Sequence, residues 1–187
     1  MIKIFGMLAI TVSLLGFHSQ AVYAIDLPSD FMRAAQGENV DPLLLLAIAL
    51  KESKRGVEEG VSPSPFAIRD ATGSYYFDNK WDAERYLESS ISAGNTNIDI
   101  GMMQINYGQH KGFVTDPKTM LDPYLNARIG ARILRQALDS VPSDTVLGIG
   151  RYHHWRDEKR ARDYGADVIE MWKKLQRDVQ KKPPVRG

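Results

Sequence analysis

The sequence predicts a mainly helical fold of the α+β kind: one domain carrying a small β-hairpin and a cleft. Three observations predict it. Apolar residues recur at helical spacing over several separate stretches. Helix-start signals precede those stretches, strongest at Asp41-Pro42 and Asp122-Pro123, where a capping side chain is followed by proline at the first helical position. The clearest strand-like stretch sets Phe66-Ala67-Ile68 and Tyr75-Tyr76-Phe77 on either side of Asp70-Ala71-Thr72-Gly73.

Taken in order, Ser29 caps a short helix running to Ala35, with Gly37 as its stop. Asp41-Pro42 starts the next. Its residues Leu43 to Leu50 are all apolar, and a helix apolar all round is a buried one. It should end near Gly56. Pro63 and Pro65 then break helix ahead of the hairpin. Trp81–Ile91 reads as a helix closed by Gly94, and Gly101–Tyr107 as a turn entering a short helix. Asp122-Pro123 opens a helix with Ile129, Ile133, Leu134, Ala137 and Leu138 at helical spacing. Ser143-Asp144 opens another. Asp157–Val179 carries Tyr164, Val168, Met171, Trp172 and Leu175 on one stripe.

The 187 residues begin with a segment unlike a folded domain. A positive Met1–Lys3, an apolar Ile4–Phe17 and Val22-Tyr23-Ala24 before Ile25 have the three-part layout of a secretory signal peptide. The apolar run falls short of the ~20 residues a membrane span needs. A retained anchor is the rival reading. The domain divides as residues 1–24 signal peptide, 25–180 folded domain and 181–187 a basic tail, which Pro183-Pro184 should leave extended. The expected location is periplasmic, with no stable membrane anchor after cleavage.

Composition excludes several chemistries. There is no cysteine, so no disulfide scaffold, thiolate metal site or thiol nucleophile exists. A net charge of +1 gives nucleic-acid binding no electrostatic support. Four scattered histidines show no i, i+4 pair, so no metal is expected, and no nucleotide-binding loop is present. No cofactor is expected.

Glu52 stands out on spacing. Positions 45, 48, 49 and 52 share a helix face, and the first three are Leu45, Ile48 and Ala49. The carboxylate therefore prolongs a core-facing stripe. It also lies in the last turn, where the helix dipole disfavours an anion. Both effects raise a carboxyl pKa, as a general acid at neutral pH requires. On its own, Lys51–Arg55 reads more readily as a charged helix end.

Four segments in order decide between these readings. Ala49-Leu50-Lys51-Glu52-Ser53 resembles the Glu-Ser motif of the soluble lytic transglycosylases, a lysozyme-like family. Gly101-Met102-Met103-Gln104-Ile105-Asn106 resembles that family's Gly-Leu-Met-Gln motif. Leu121-Asp122-Pro123 through Asn126-Ala127 and Gly130-Ala131 resembles its third, helical motif, and Gly150-Arg151-Tyr152-His153 sits where it has Ala-Tyr-Asn. The closest likeness is to the small accessory transglycosylases of conjugal transfer, type IV secretion and pilus systems. They share the long insert after the glutamate, the Tyr-Tyr-Phe hairpin and the Arg-Tyr-His ending.

The resemblance implies a lysozyme-like fold, peptidoglycan glycan strands as substrate and conjugation, secretion or pilus assembly proteins as partners. Glu52 would be the catalytic acid, protonating the bond between N-acetylmuramic acid and N-acetylglucosamine. It would then serve as base on the muramoyl 6-hydroxyl, closing a 1,6-anhydro ring. Ser53, Met103, Gln104, Asn106 and Tyr152 would be the substrate-binding set, with Ser53 supporting Glu52 or the following turn and Tyr152 reaching towards Glu52 or the sugar. Met102 and Met103 would fill the cleft floor. Gly101 and Gly130 would permit close packing. Tyr107, Tyr152 and Trp155 are candidate sugar-stacking rings.

Two departures bear on this. Met102 replaces leucine, a volume-conserving change, and His153 stands where asparagine is commoner, so it is read as a half-exposed histidine without a catalytic role. Asp99 remains ambiguous. Asp99-Ile100-Gly101-Met102-Met103-Gln104-Ile105-Asn106 also resembles the Asp-x-Gly-x-x-Gln-x-Asn segment of hen-type lysozymes, where the aspartate faces the glutamate as nucleophile or stabiliser. Asp99 is thus a possible secondary carboxylate, or a cap before the Gly101 turn, the role favoured here. A lysozyme-type muramidase using Glu52 and Asp99, and a non-catalytic wall-binding assembly protein, are the alternative readings.

Overall fold

The computed structural model describes residues 29–57 and 60–181. The expected signal peptide and the tail from residue 182 lie outside the described residues. Seven α-helices and six short strands follow in the order α1 (Ser29–Gly37), α2 (Pro42–Ser53), β1 (Lys54–Val57), β2 (Gly60–Pro63), β3 (Ala67–Asp70), β4 (Gly73–Tyr76), α3 (Lys80–Ser92), β5 (Asp99–Ile100), β6 (Ile105–Asn106), α4 (Tyr107–His110), α5 (Pro123–Asp139), α6 (Thr145–Gly150) and α7 (Glu158–Lys181).

The helix starts follow their capping chemistry. Asp41 accepts the Leu44 N–H at 2.8 Å, Asp122 that of Leu125 at 2.8 Å and Asp144 that of Leu147 at 3.0 Å. Each satisfies a backbone donor the helix cannot, an effect of ~1 kcal/mol. Helix α2 has no polar face along Leu44–Leu50, and every residue there is buried. Helices α1, α5 and α7 pack around it. Helix α7 is amphipathic and buries Ala161, Tyr164 and Val168. Glycine makes the α6–α7 approach possible: a Cβ on Gly150 would run into the Ala161 carbonyl, and one on Gly165 into that of Val146.

The β structure exceeds the single expected hairpin. Helix α2 ends at Ser53 rather than near Gly56, because Lys54 turns extended (φ −56°, ψ 132°) and opens a first hairpin, β1–β2. The expected Phe66–Phe77 hairpin forms as β3–β4, pairing Ala67 with Tyr76 and Arg69 with Ser74. It is half of a four-stranded antiparallel sheet ordered β4-β3-β5-β6. There Arg69 stands opposite Asp99, and Asp99 opposite Asn106. One face carries Ile68, Ile100 and Ile105 into the core; the other presents Arg69, Asp99 and Asn106.

Candidate active site

Glu52 lies on the same stripe of α2 as the fully buried Leu45, Ile48 and Ala49, and its side chain is only 6% exposed. Tyr164 of α7 donates its hydroxyl to Glu52 Oε1 at 2.6 Å. His153, in the turn after α6, places Nδ1 at 3.5 Å from the same oxygen and stacks on the Tyr164 ring, centroids 5.0 Å apart. Oε1 is therefore clamped by two rings. Oε2 has no hydrogen-bond partner among the described residues and is not sealed from solvent. One oxygen is anchored and the other is free to exchange a proton.

Burial raises the Glu52 pKa, with the Asp99 charge adding to the rise; the Tyr164 hydrogen bond, Arg69 and Lys51 oppose it. The Lys51 ammonium is itself bound to Asp167, which lessens its pull. Burial lowers the His153 pKa, aided by Arg69 and Lys51 and opposed by Asp99. His153 thus stands beside Glu52 as a neutral ring at neutral pH. A carboxyl pushed towards its protonated form beside a neutral imidazole is the bias a general acid needs.

A cleft of about 370 Å³ is lined by the sheet residues Arg69, Asp99 and Asn106, by Gln104 of the turn between β5 and β6 and, across it, by Tyr152 and His153. Asp99 is neither a cap nor free. Its Oδ2 accepts Arg69 Nε at 2.9 Å and Nη2 at 2.6 Å, and its Oδ1 accepts Asn106 Nδ2 at 2.8 Å. The favoured cap role is corrected accordingly: Asp99 sits in strand β5, and a strand residue opposite arginine forms a cross-strand ion pair instead.

The Gly101–Gln104 turn is held from beneath by the wholly buried Asn126 of α5. Its Oδ1 accepts the Met103 N–H at 2.8 Å, and its Nδ2 donates to the carbonyls of Ile100 and Met120, both at 2.9 Å. Gly101 has φ +76°, and a Cβ there would strike the Asn126 amide. Gln104 holds a left-handed φ of +45°, unusual for a residue with a side chain, and donates Nε2 to Gly101 O at 2.9 Å. The turn is thus pinned so that Gln104 faces the cleft.

Other expected site residues fall elsewhere. Ser53 is 1% exposed; its Oγ donates to Met102 O at 2.8 Å and accepts the Ser64 N–H at 3.2 Å, so it supports the following turn and cannot touch a ligand. Met103 is fully buried, in space that a side chain on Gly130 would take, so it fills the core under the cleft. Met102 faces a different cavity. This is an apolar groove of about 930 Å³ between α2 and α7, lined on α2 by Leu46 and Leu50, a stripe turned away from Glu52. Its carboxylates Asp30, Asp167, Glu170 and Asp178 lack the burial of Glu52, so the smaller cleft, which His153 joins to Glu52, is the candidate site. Tyr152 lines the cleft, but its hydroxyl donates to Met103 O at 2.7 Å rather than to Glu52. The ring that reaches Glu52 is Tyr164, which the sequence presented as one more apolar member of the α7 stripe. Tyr107 packs on the core, and Trp155 is exposed outside the cleft lining. Among the described residues no group of three His, Asp or Glu side chains could hold a metal.

No curated protein sequence matches the chain. Among solved structures, an inactive Glu-to-Gln mutant of lytic transglycosylase Slt from Pseudomonas aeruginosa superposes with a TM-score of 0.54 at 15% identity. The match covers 87% of this chain and 26% of that one, so the chain spans about a quarter of that protein's length and the likeness speaks for the fold. The family model described as the transglycosylase SLT domain matches residues 30–168, from the first turn of α1 past Tyr164, and so takes in Glu52, the pinned Gln104 turn and both rings on Oε1. This chain belongs to the transglycosylase SLT domain family.

Proposed function

We propose that this protein is a peptidoglycan lytic transglycosylase with Glu52 as its one catalytic carboxyl. The observation that carries the reading is the division of labour within Glu52: Oε1 fixed by Tyr164, Oε2 without a partner among the described residues, and burial favouring the protonated form. The protonated carboxyl gives its proton to the glycosidic oxygen between N-acetylmuramic acid and N-acetylglucosamine as the C1–O bond breaks. The resulting carboxylate accepts the proton of the muramoyl 6-hydroxyl as O6 bonds to C1, closing the 1,6-anhydro ring. The proton count balances without water, so no second protein base is required. Asp99, held on both oxygens by Arg69 and Asn106, has no task in this route, whereas hydrolysis would use it as the second carboxylate.

Gln104 and Asn106 are the cleft-wall amides proposed to bind the sugar, with Tyr152 fixing the turn that presents Gln104. Ser53 and Met103 act through the frame. The protein is further proposed to be exported to the periplasm by residues 1–24 and to open the wall locally for a conjugation, secretion or pilus apparatus; sequence likeness alone supports that part. Digestion of purified peptidoglycan by wild type and Asp99→Asn, with products read by mass, tests the chemistry. Anhydromuramoyl products, one water lighter than reducing ones, are expected from both. Reducing-end products from wild type that vanish in Asp99→Asn would make the enzyme a muramidase.

A further inference from the structure

The Tyr-Tyr-Phe segment takes no part in the site described above, yet it carries exposed rings. Tyr76 is 44% exposed, and Trp81 in the first turn of α3 is 62% exposed. Large aromatic side chains left in water call for an explanation when they gather. Register shows where Tyr76 stands. It is opposite Ala67, and directly opposed residues of an antiparallel pair share a sheet face. Ala67 and Arg69, two apart on β3, share a face too. Tyr76 therefore belongs to the face that carries Arg69, Asp99 and Asn106 into the cleft. Two residues along a strand and one strand across put its backbone about 8 Å from that of Arg69.

We propose that this edge of the sheet and the first turns of α3 form a second glycan-binding surface outside the cleft, built on Tyr76, Trp81, Asp82 and Arg85. A shallow concavity of about 430 Å³ lies there, lined by Tyr76, Phe77, Asp78, Asp82, Arg85 and Tyr86, with no aliphatic side chain among them. Trp81 flanks it, its ring held under the Arg85 guanidinium at 4.6 Å. Rings edged by carboxylates and a guanidinium suit a ligand that has apolar faces and a rim of hydroxyl and acetamido groups. A pyranose strand is such a ligand, and an apolar peptide is not. Asp78 is paired with Arg55 at 2.8 Å, and Asp82 and Arg85 offset each other, so the surface favours a near-neutral strand of N-acetylhexosamines.

The platform is already rigid. Tyr86 packs on Tyr75 at 4.6 Å and on Phe77 at 5.5 Å, and its hydroxyl donates to Asp70 Oδ2 at 2.9 Å. Ser90 donates to the same oxygen at 3.2 Å, and Thr72 donates N–H and hydroxyl to Asp70 Oδ1 at 2.8 and 2.6 Å. The hairpin is thereby bolted to α3, and little ordering remains to oppose binding. A glycan strand is longer than a 370 Å³ cleft holds; one leaving along the sheet face crosses Tyr76.

The inference rests on the proposed peptidoglycan substrate, and its test separates the two. In the Glu52→Gln background, binding to insoluble peptidoglycan is measured by sedimentation with and without Tyr76→Ala plus Trp81→Ala. The N-acetylglucosamine tetramer is titrated into Glu52→Gln, with amide and indole NMR shifts followed. Affinity for peptidoglycan should fall about ten-fold in the double variant, and Tyr76→Phe, which keeps the ring, should bind as its parent does. The tetramer should shift two groups of signals, one around Gln104 and one around Tyr76 and Trp81. Unchanged binding with shifts at the cleft alone would overturn the second surface and leave the proposed function standing. Loss of peptidoglycan binding by the Glu52→Gln parent itself, with no shift anywhere, would remove both.

Discussion

Replacing Tyr164 by phenylalanine isolates what the clamp on Oε1 contributes. The ring stays, so the stacking on His153 and the packing of α7 persist; only the 2.6 Å hydrogen bond is lost. A hydrogen bond to a charged group contributes about 1.5–3 kcal/mol. In the transition state the Glu52 charge is only partly developed, so roughly half of that is at stake. About 0.75–1.5 kcal/mol corresponds to a fall in kcat of roughly four- to thirteen-fold. The pH profile gives an independent sign. In the proposed mechanism activity requires Glu52 protonated, so its alkaline limb should follow the Glu52 pKa. The Tyr164 hydrogen bond lowers that pKa against the rise caused by burial. Without it the pKa climbs further, and the alkaline limb moves to higher pH. The assay is release of muropeptides from purified peptidoglycan as a function of pH. An unchanged kcat, or a limb moving to lower pH, would refute the assignment of Tyr164 as the residue positioning Glu52.

Other consequences follow from the same geometry. Ser53→Ala removes a buried hydroxyl shared by Met102 O and the Ser64 N–H, at a cost of about 1–3 kcal/mol. Thermal unfolding should come roughly 3–10 °C lower with kcat within about two-fold of wild type; lost binding at unchanged stability would return Ser53 to the substrate. Glu52→Gln should stabilise the fold as pH rises. A carboxyl whose folded pKa is raised contributes stability that is present below its unfolded value and lost as pH climbs through the folded one. The Tm difference between variant and wild type should therefore be small near pH 4 and grow towards pH 8; a difference that shrinks would contradict the burial of Glu52.

Much of this was legible because it depended on local signals. Asp41-Pro42 and Asp122-Pro123 start their helices where capping chemistry says they should. The run Leu44–Leu50 is buried because an unbroken apolar helix has no face for water. Glu52 was readable because it extends a core-facing stripe. What escaped depended on contacts distant in sequence. Tyr164 lies 112 residues from the carboxylate it binds, and nothing on its own helix distinguishes it from a core ring. The two-residue strands β5 and β6 are too short to show periodicity, so the Arg69–Asp99 pair was invisible until the strands were paired. Lys54-Arg55-Gly56 lacks apolar alternation, which hid β1. Met103 and Ser53 were correctly placed beside the chemistry but wrongly exposed to it, since spacing cannot tell a cleft floor from the core beneath.

The most direct test of the account compares wild type with Glu52→Gln on purified peptidoglycan, with the released products weighed intact. Anhydromuramoyl products from wild type and none from a folded Glu52→Gln are the predicted result. The same products from Glu52→Gln would contradict it, because the proton would then come from some other group.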